Sequence, residues 1–114
     1  MDISQLAKKP ELVKLVLDDQ ELVNTYGEEI TFFMLDVIDI NTYFDFYKNQ
    51  NEQDGERLMH VLRKIILNEQ GNPAIAEDSI LPVDITLNVL MKISDHLGKS
   101  KARLSKKEIG TQQD

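Results

Sequence analysis

Residues 11–35, ELVKLVLDDQELVNTYGEEITFFML, alternate, break and alternate again. In Glu11–Leu17 the apolar residues Val13, Leu15 and Leu17 recur at every second position, with Leu12, Lys14 and Val16 opposite. That is the period of a strand, whose successive side chains point to opposite faces. Glu28–Leu35 repeats the pattern, with Ile30, Phe32 and Met34 on one side. Between them, Asp19 is placed to cap two helical turns over Gln20–Tyr26, and Gly27 to take the left-handed position that ends them. The stretch predicts an antiparallel strand pair joined through a short helical insert.

Upstream, the segment ending Lys8-Lys9-Pro10 reads as a helical turn or flexible lead, because Pro10 has no amide hydrogen and biases Lys9 away from helix. Downstream the period changes. Asn41 is a cap candidate for a short helix over Thr42–Asn49 that gathers Tyr43, Phe44, Phe46 and Tyr47. Five of the seven Phe and Tyr residues lie between Phe33 and Tyr47, which marks where strands and helices should meet. Asn49–Gly55 is wholly polar and predicts a loop. In Glu56–Asn68, Leu58, Val61, Leu62, Ile65 and Ile66 follow the i, i+3, i+4, i+7, i+8 spacing of one helix face, with Asp54 as cap and Gly71-Asn72-Pro73 as stop. Pro82 suits the first turn of a last helix, Val83–Leu97, which Gly98 should end.

That last helix carries two apolar stripes, Val83, Leu87, Leu90, Leu97 and Ile85, Val89, Ile93, with Met91 widening the band. An apolar band on more than half the circumference exceeds what one small sheet and one helix need cover. Either the helix is central to the fold or part of it meets a partner. The expected architecture is α+β: the strand pair with its helical insert, then three helices, as one domain over residues 1–98. Residues 99–114, with five basic and two acidic residues and only Leu104 and Ile109 as large apolar groups, should form a mobile or disordered basic tail.

Composition narrows the chemistry. The chain has 114 residues and net charge −7, divided between a body of −10 and a tail of +3. Such a field disfavours nucleic acid and anionic membranes as partners. Without cysteine there is no disulfide, zinc–thiolate centre or thiol nucleophile. No apolar run reaches the roughly 18–20 residues of a membrane span, and the N-terminus lacks the apolar core of a secretion signal.

Motifs for chemistry fail on inspection. Gly98-Lys99-Ser100 matches the end of a phosphate loop, but Ile93 stands where its first glycine belongs. Asp39-Ile40-Asn41-Thr42-Tyr43 begins like a calcium loop, but Phe44 replaces the required glycine and Gln50 the closing glutamate. His60 and His96 have no histidine or carboxylate at a convincing ligand spacing. No paired carboxylates are apparent, and the basic tail has no aromatic residue to stack on bases. The expectation is a protein without catalysis, metal or cofactor.

Three blocks carry a resemblance: EITFFMLDVIDINTYFDFYK (Glu29–Lys48), LRKIILNEQGNPAI (Leu62–Ile75) and LPVDITLNVLMKISDHLGKSK (Leu81–Lys101), followed abruptly by the polar tail. Together they span about half of the chain, and in overall pattern the sequence resembles the tail assembly chaperones of long-tailed bacteriophages. The resemblance implies a protein that coats and solubilises the helical tape measure protein in the cytoplasm of the infected host. It also implies recruitment of tail tube subunits and absence from the mature virion. In many such phages a −1 ribosomal frameshift yields a longer form, whose extension binds the tube protein. Leu97-Gly98-Lys99 is compatible with the slippery codons CTG GGA AAA or TTG GGA AAA.

The residues expected to contact a partner are Val83, Leu87, Leu90, Met91 and Leu97, with Tyr43, Phe46 and Tyr47 as a second set. Self-association through the same band is a further expectation. The alternative from charge alone is a small acidic adaptor or inhibitor that binds a host protein.

Overall fold

The computed structural model describes the backbone of residues 1–112 and the side chains of residues 1–98. After a single 3-10 turn, Ile3–Gln5, the order is β1 (Leu12–Leu17), α1 (Gln20–Tyr26), β2 (Ile30–Leu35), α2 (Ile40–Asn51), α3 (Gly55–Ile65) and α4 (Val83–Gln112). The expected α+β architecture is present, with β1 and β2 forming an antiparallel two-stranded sheet.

Both strands have the alternation that their sequences prescribe. Leu17 of β1 and Phe32 and Met34 of β2 are buried, while Lys14 and Thr31 face outward. In α1 the Asp19 carboxylate accepts the Leu22 N–H, and Gly27, at φ 85°, donates its N–H to the Val23 carbonyl. Only glycine adopts that left-handed conformation without steric cost, so the insert ends there.

Two boundaries differ from expectation. Helix α2 is capped by Asp39 rather than Asn41: its carboxylate accepts both the N–H (2.8 Å) and the hydroxyl (3.1 Å) of Thr42. The helix also runs on to Asn51, so the loop before α3 shrinks to Glu52, Gln53 and Asp54. Gln53 makes the reversal at φ 56°, and Asp54 then caps α3 as expected. Helix α3 stops at Ile65, three residues short of the predicted end, because Ile66 turns extended. Leu67 exchanges both backbone hydrogen bonds with Phe33, at 2.7 and 3.0 Å. Asn68 closes the following turn by accepting the N–H groups of Gln70 and Asn72 on its side chain. A long-range pairing with β2 thus overrides the helical spacing of Ile65 and Ile66.

Helix α4 corrects a third boundary. Gly98 does not end it; the backbone stays helical to Gln112. A glycine inside a helix costs only about 1 kcal/mol against alanine, and the Lys, Ala, Arg, Leu and Glu residues that follow are good helix formers. The expected mobile or disordered tail, residues 99–114, falls on residues whose side chains, and beyond Gln112 whose backbone, lie outside the described residues.

The chain divides into two compact units, Met1–Leu15 with Thr31–Ile80, and Val16–Ile30 with Leu81–Asp114, so that each strand crosses from one to the other. In the first, the buried apolar residues are Phe32, Met34, Phe46, Val61, Leu62, Ile65, Ile66, Leu67 and Ile75. The Asp36 carboxylate there accepts the Glu11 N–H at 2.9 Å and pairs with Lys8. In the second, Leu17, Leu22, Ile85, Val89, Leu90 and Ile93 are buried.

Candidate functional site

Helix α4 begins where Pro82 leaves its carbonyl to accept the Thr86 N–H (2.9 Å) and hydroxyl (2.9 Å). Its inner side is apolar: Ile85, Val89, Leu90 and Ile93 are buried, at spacings of four, one and three residues. Two polar links on neighbouring parts of the same unit fix its rotation. Lys92 reaches Asp18 at 3.2 Å, and this partner holds the Asp18 carboxyl below its ordinary range. At the other end the Tyr26 hydroxyl donates to the Asp84 carboxylate at 3.2–3.3 Å, and desolvation together with that carboxylate raises the phenol's pKa.

With the rotation so fixed, a second apolar stripe is left in solvent. Val83, Leu87 and Met91 stand four residues apart and are 75%, 56% and 65% exposed. They lie one above another along about 12 Å of helix. More than half of each side chain is left open, and an exposed row of three large apolar groups on one helix face is a pattern that suits a docking surface. Its rim is acidic, with Asp84 and Asp95 exposed on the helix.

The expected contact set therefore divides. Val83, Leu87 and Met91 offer surface, and Leu97 is half-buried. Leu90 is 8% exposed and leaves the set, because it lies on the buried side of α4. The aromatic set divides similarly. Phe46 is fully buried and serves packing, with its ring 5.1 Å from that of Tyr47 in an edge-on arrangement. Tyr43 and Tyr47, with ring centroids 4.9 Å apart, are half-buried. The apolar groups that α2 does present to solvent are Ile40 and Phe44, one turn apart. Sequence reasoning grouped Phe44 with the other aromatics; the signal for its separate role was its four-residue spacing from Ile40.

Enclosed space is limited. A cleft of about 330 Å³ is bordered by Pro10, Leu35, Val37, Ile38, Asp39, Thr42, Lys64 and Ile65. The Asp39 carboxyl within it is held below its ordinary range, first by the Thr42 N–H and hydroxyl and more weakly by Lys64, so its lone pairs are already committed to capping α2. A smaller groove of about 240 Å³ lies between α2 and α3, beside Asp45, Lys48, Arg57 and His60. Among the described residues no group of three or more His, Asp or Glu could hold a metal ion, and no helix is long and apolar enough to cross a membrane.

Compared with known proteins, the chain matches no family model, no curated protein and no solved structure.

Proposed function

We propose that this chain is a holding protein for a helical client, and that its setting is bacteriophage tail assembly. In this reading it binds and solubilises the tape measure protein and helps recruit tail tube subunits, the latter through a frameshift extension. It works in the host cytoplasm, is left out of the mature virion, and acts by binding without catalysis. The setting rests on the sequence resemblance; the mode of action rests on one observation, the exposed stripe of Val83, Leu87 and Met91. A one-turn spacing of large apolar groups matches the i, i+4 anchors of an amphipathic partner helix. The acidic body, −10 over residues 1–98, keeps a complex with an apolar client soluble and repels nucleic acid.

Co-expression with a tape measure segment tests this directly. The wild-type chain should move the segment from the pellet to the soluble fraction, and the double variant Leu87→Asp/Met91→Asp should not. Equal solubility with both proteins would sink the proposal. Salt separates it from the acidic adaptor: apolar docking should hold its affinity as salt rises, whereas capture by charge mimicry should weaken steeply.

A further inference from the structure

The cleft of about 330 Å³ in the first unit is walled mainly by carbon. Pro10 before β1, Leu35 at the end of β2, Val37 and Ile38 after it, and Ile65 of α3 border it. Sites for small molecules have this size and this lining, mostly apolar with a few placed polar groups. Here the polar groups are Asp39, Thr42 and Lys64, and their hydrogen-bonding states differ. The Asp39 carboxylate accepts the Thr42 N–H at 2.8 Å and the Thr42 hydroxyl at 3.1 Å, so the two residues satisfy each other. Its negative charge sits at the N-terminus of α2, where the helix dipole offsets it. Lys8, two residues before Pro10, is held by Asp36. Lys64 stands apart: it is exposed, and among the described residues it makes no hydrogen bond or ion pair. One unpaired cation therefore borders an apolar cleft whose other polar groups are closed.

We propose that this cleft binds a small aliphatic monocarboxylate, its hydrocarbon chain against Leu35, Val37, Ile38 and Ile65 and its carboxylate on Lys64. Charge and polarity select that class. A cationic ligand would face Lys64. A sugar or other polyol would bring hydroxyls for which the walls hold no partner, and burying such groups unpaired is costly. A dicarboxylate would set its second charge against hydrocarbon. A peptide C-terminus offers a carboxylate beside an aliphatic side chain, but it adds an amide that the cleft leaves unpaired, so the free acid fits better. The net charge of −7 does not reverse the choice. At physiological salt, exposed charges are screened beyond about 8 Å, and the cation at the rim decides.

Titration of the full chain with butanoate, pentanoate and hexanoate, followed by amide NMR shifts, tests the site. The shifts should centre on residues 37–42 and 64–65, and affinity should rise about fourfold with each added methylene. Lys64→Gln should weaken hexanoate about fivefold and leave 1-hexanol unchanged, as for loss of one exposed ion pair. Val37→Trp, at an exposed position, should fill the cleft and abolish the hexanoate shifts while the rest of the spectrum stays that of the folded chain. N-acetylleucine, which carries the peptide amide, should bind more weakly than hexanoate. The proposal is overturned by the absence of saturable shifts with hexanoate, by shifts centred elsewhere, by equal hexanoate affinity in wild type and Lys64→Gln, or by tighter binding of N-acetylleucine. The cleft shares no residue with the outer row of α4, so its failure leaves the client reading standing, and loss of client binding leaves the cleft untouched.

Discussion

Helices α3 and α4 carry comparable apolar content and use it differently. On α3 the apolar face is consumed by the fold: Val61, Leu62 and Ile65 are buried, and its exposed side is polar, with Arg57, His60 and Lys64. On α4 a buried row and an exposed row stand side by side, Ile85, Val89, Leu90 and Ile93 against Val83, Leu87 and Met91. The first helix spends its apolar residues inside the chain; the second leaves one apolar row in solvent. The difference separates residues that stabilise the fold from residues left open to solvent, which the proposed function takes as its docking row.

The sharpest break in that comparison is truncation of the buried rows. Leu62→Ala in α3 and Ile93→Ala in α4, both at fully buried positions, should each lower unfolding free energy by about 2–5 kcal/mol in urea titrations. Equal losses would confirm that both inner faces are core. Next in size is the cap of α3. Asp54 accepts the Arg57 N–H at 3.2 Å, and Asp54→Ala should cost about 1 kcal/mol by the same measurement. The continuity of α4 is probed by Gly98→Ala. In a running helix with open space at the Cβ, this change should gain about 0.5–1 kcal/mol. At a left-handed helix end it would lose stability instead.

The smallest effect is pH-dependent and belongs to the first unit. The Glu11 N–H, and after it Lys8, hold the Asp36 carboxyl below its ordinary value of 3.8. A carboxylate with a depressed folded-state pKa contributes its full stability above the ordinary value and loses it as pH falls through the folded one. Asp36→Asn should therefore lower Tm at pH 7, and the gap to wild type should close as the solution is acidified below that ordinary value. A gap that persists in acid would place the effect on packing rather than on charge.

Local signals made much of this legible. Both strands, the α1 insert with Asp19 and Gly27, and the start of α3 at Asp54 follow from spacing and capping chemistry over a few residues. What the sequence hid was decided at long range or between near-equivalent neighbours. Leu67 pairs with Phe33, 34 positions away, and that pairing ends α3 where periodicity alone would continue it. Asp39 and Asn41 are both competent caps two residues apart, and the contact with Thr42 selects the first. Gly98 carries the residue type of a helix end without the left-handed backbone of one, so type misled. Leu90 and Met91 are adjacent and similar, yet one is buried and the other exposed. Their order depends on how α4 is rotated, which Lys92–Asp18 and Tyr26–Asp84 fix and no periodicity reveals.

The central claim, that the outer row of α4 binds and the inner row folds, is tested most directly by one paired titration. Leu87→Asp/Met91→Asp is unfolded in urea and, in parallel, titrated with a labelled tape measure segment. The account predicts an unfolding free energy within about 0.5 kcal/mol of wild type, as for exposed substitutions, together with loss of client affinity of at least tenfold. A large fall in stability, or affinity equal to wild type, would contradict it.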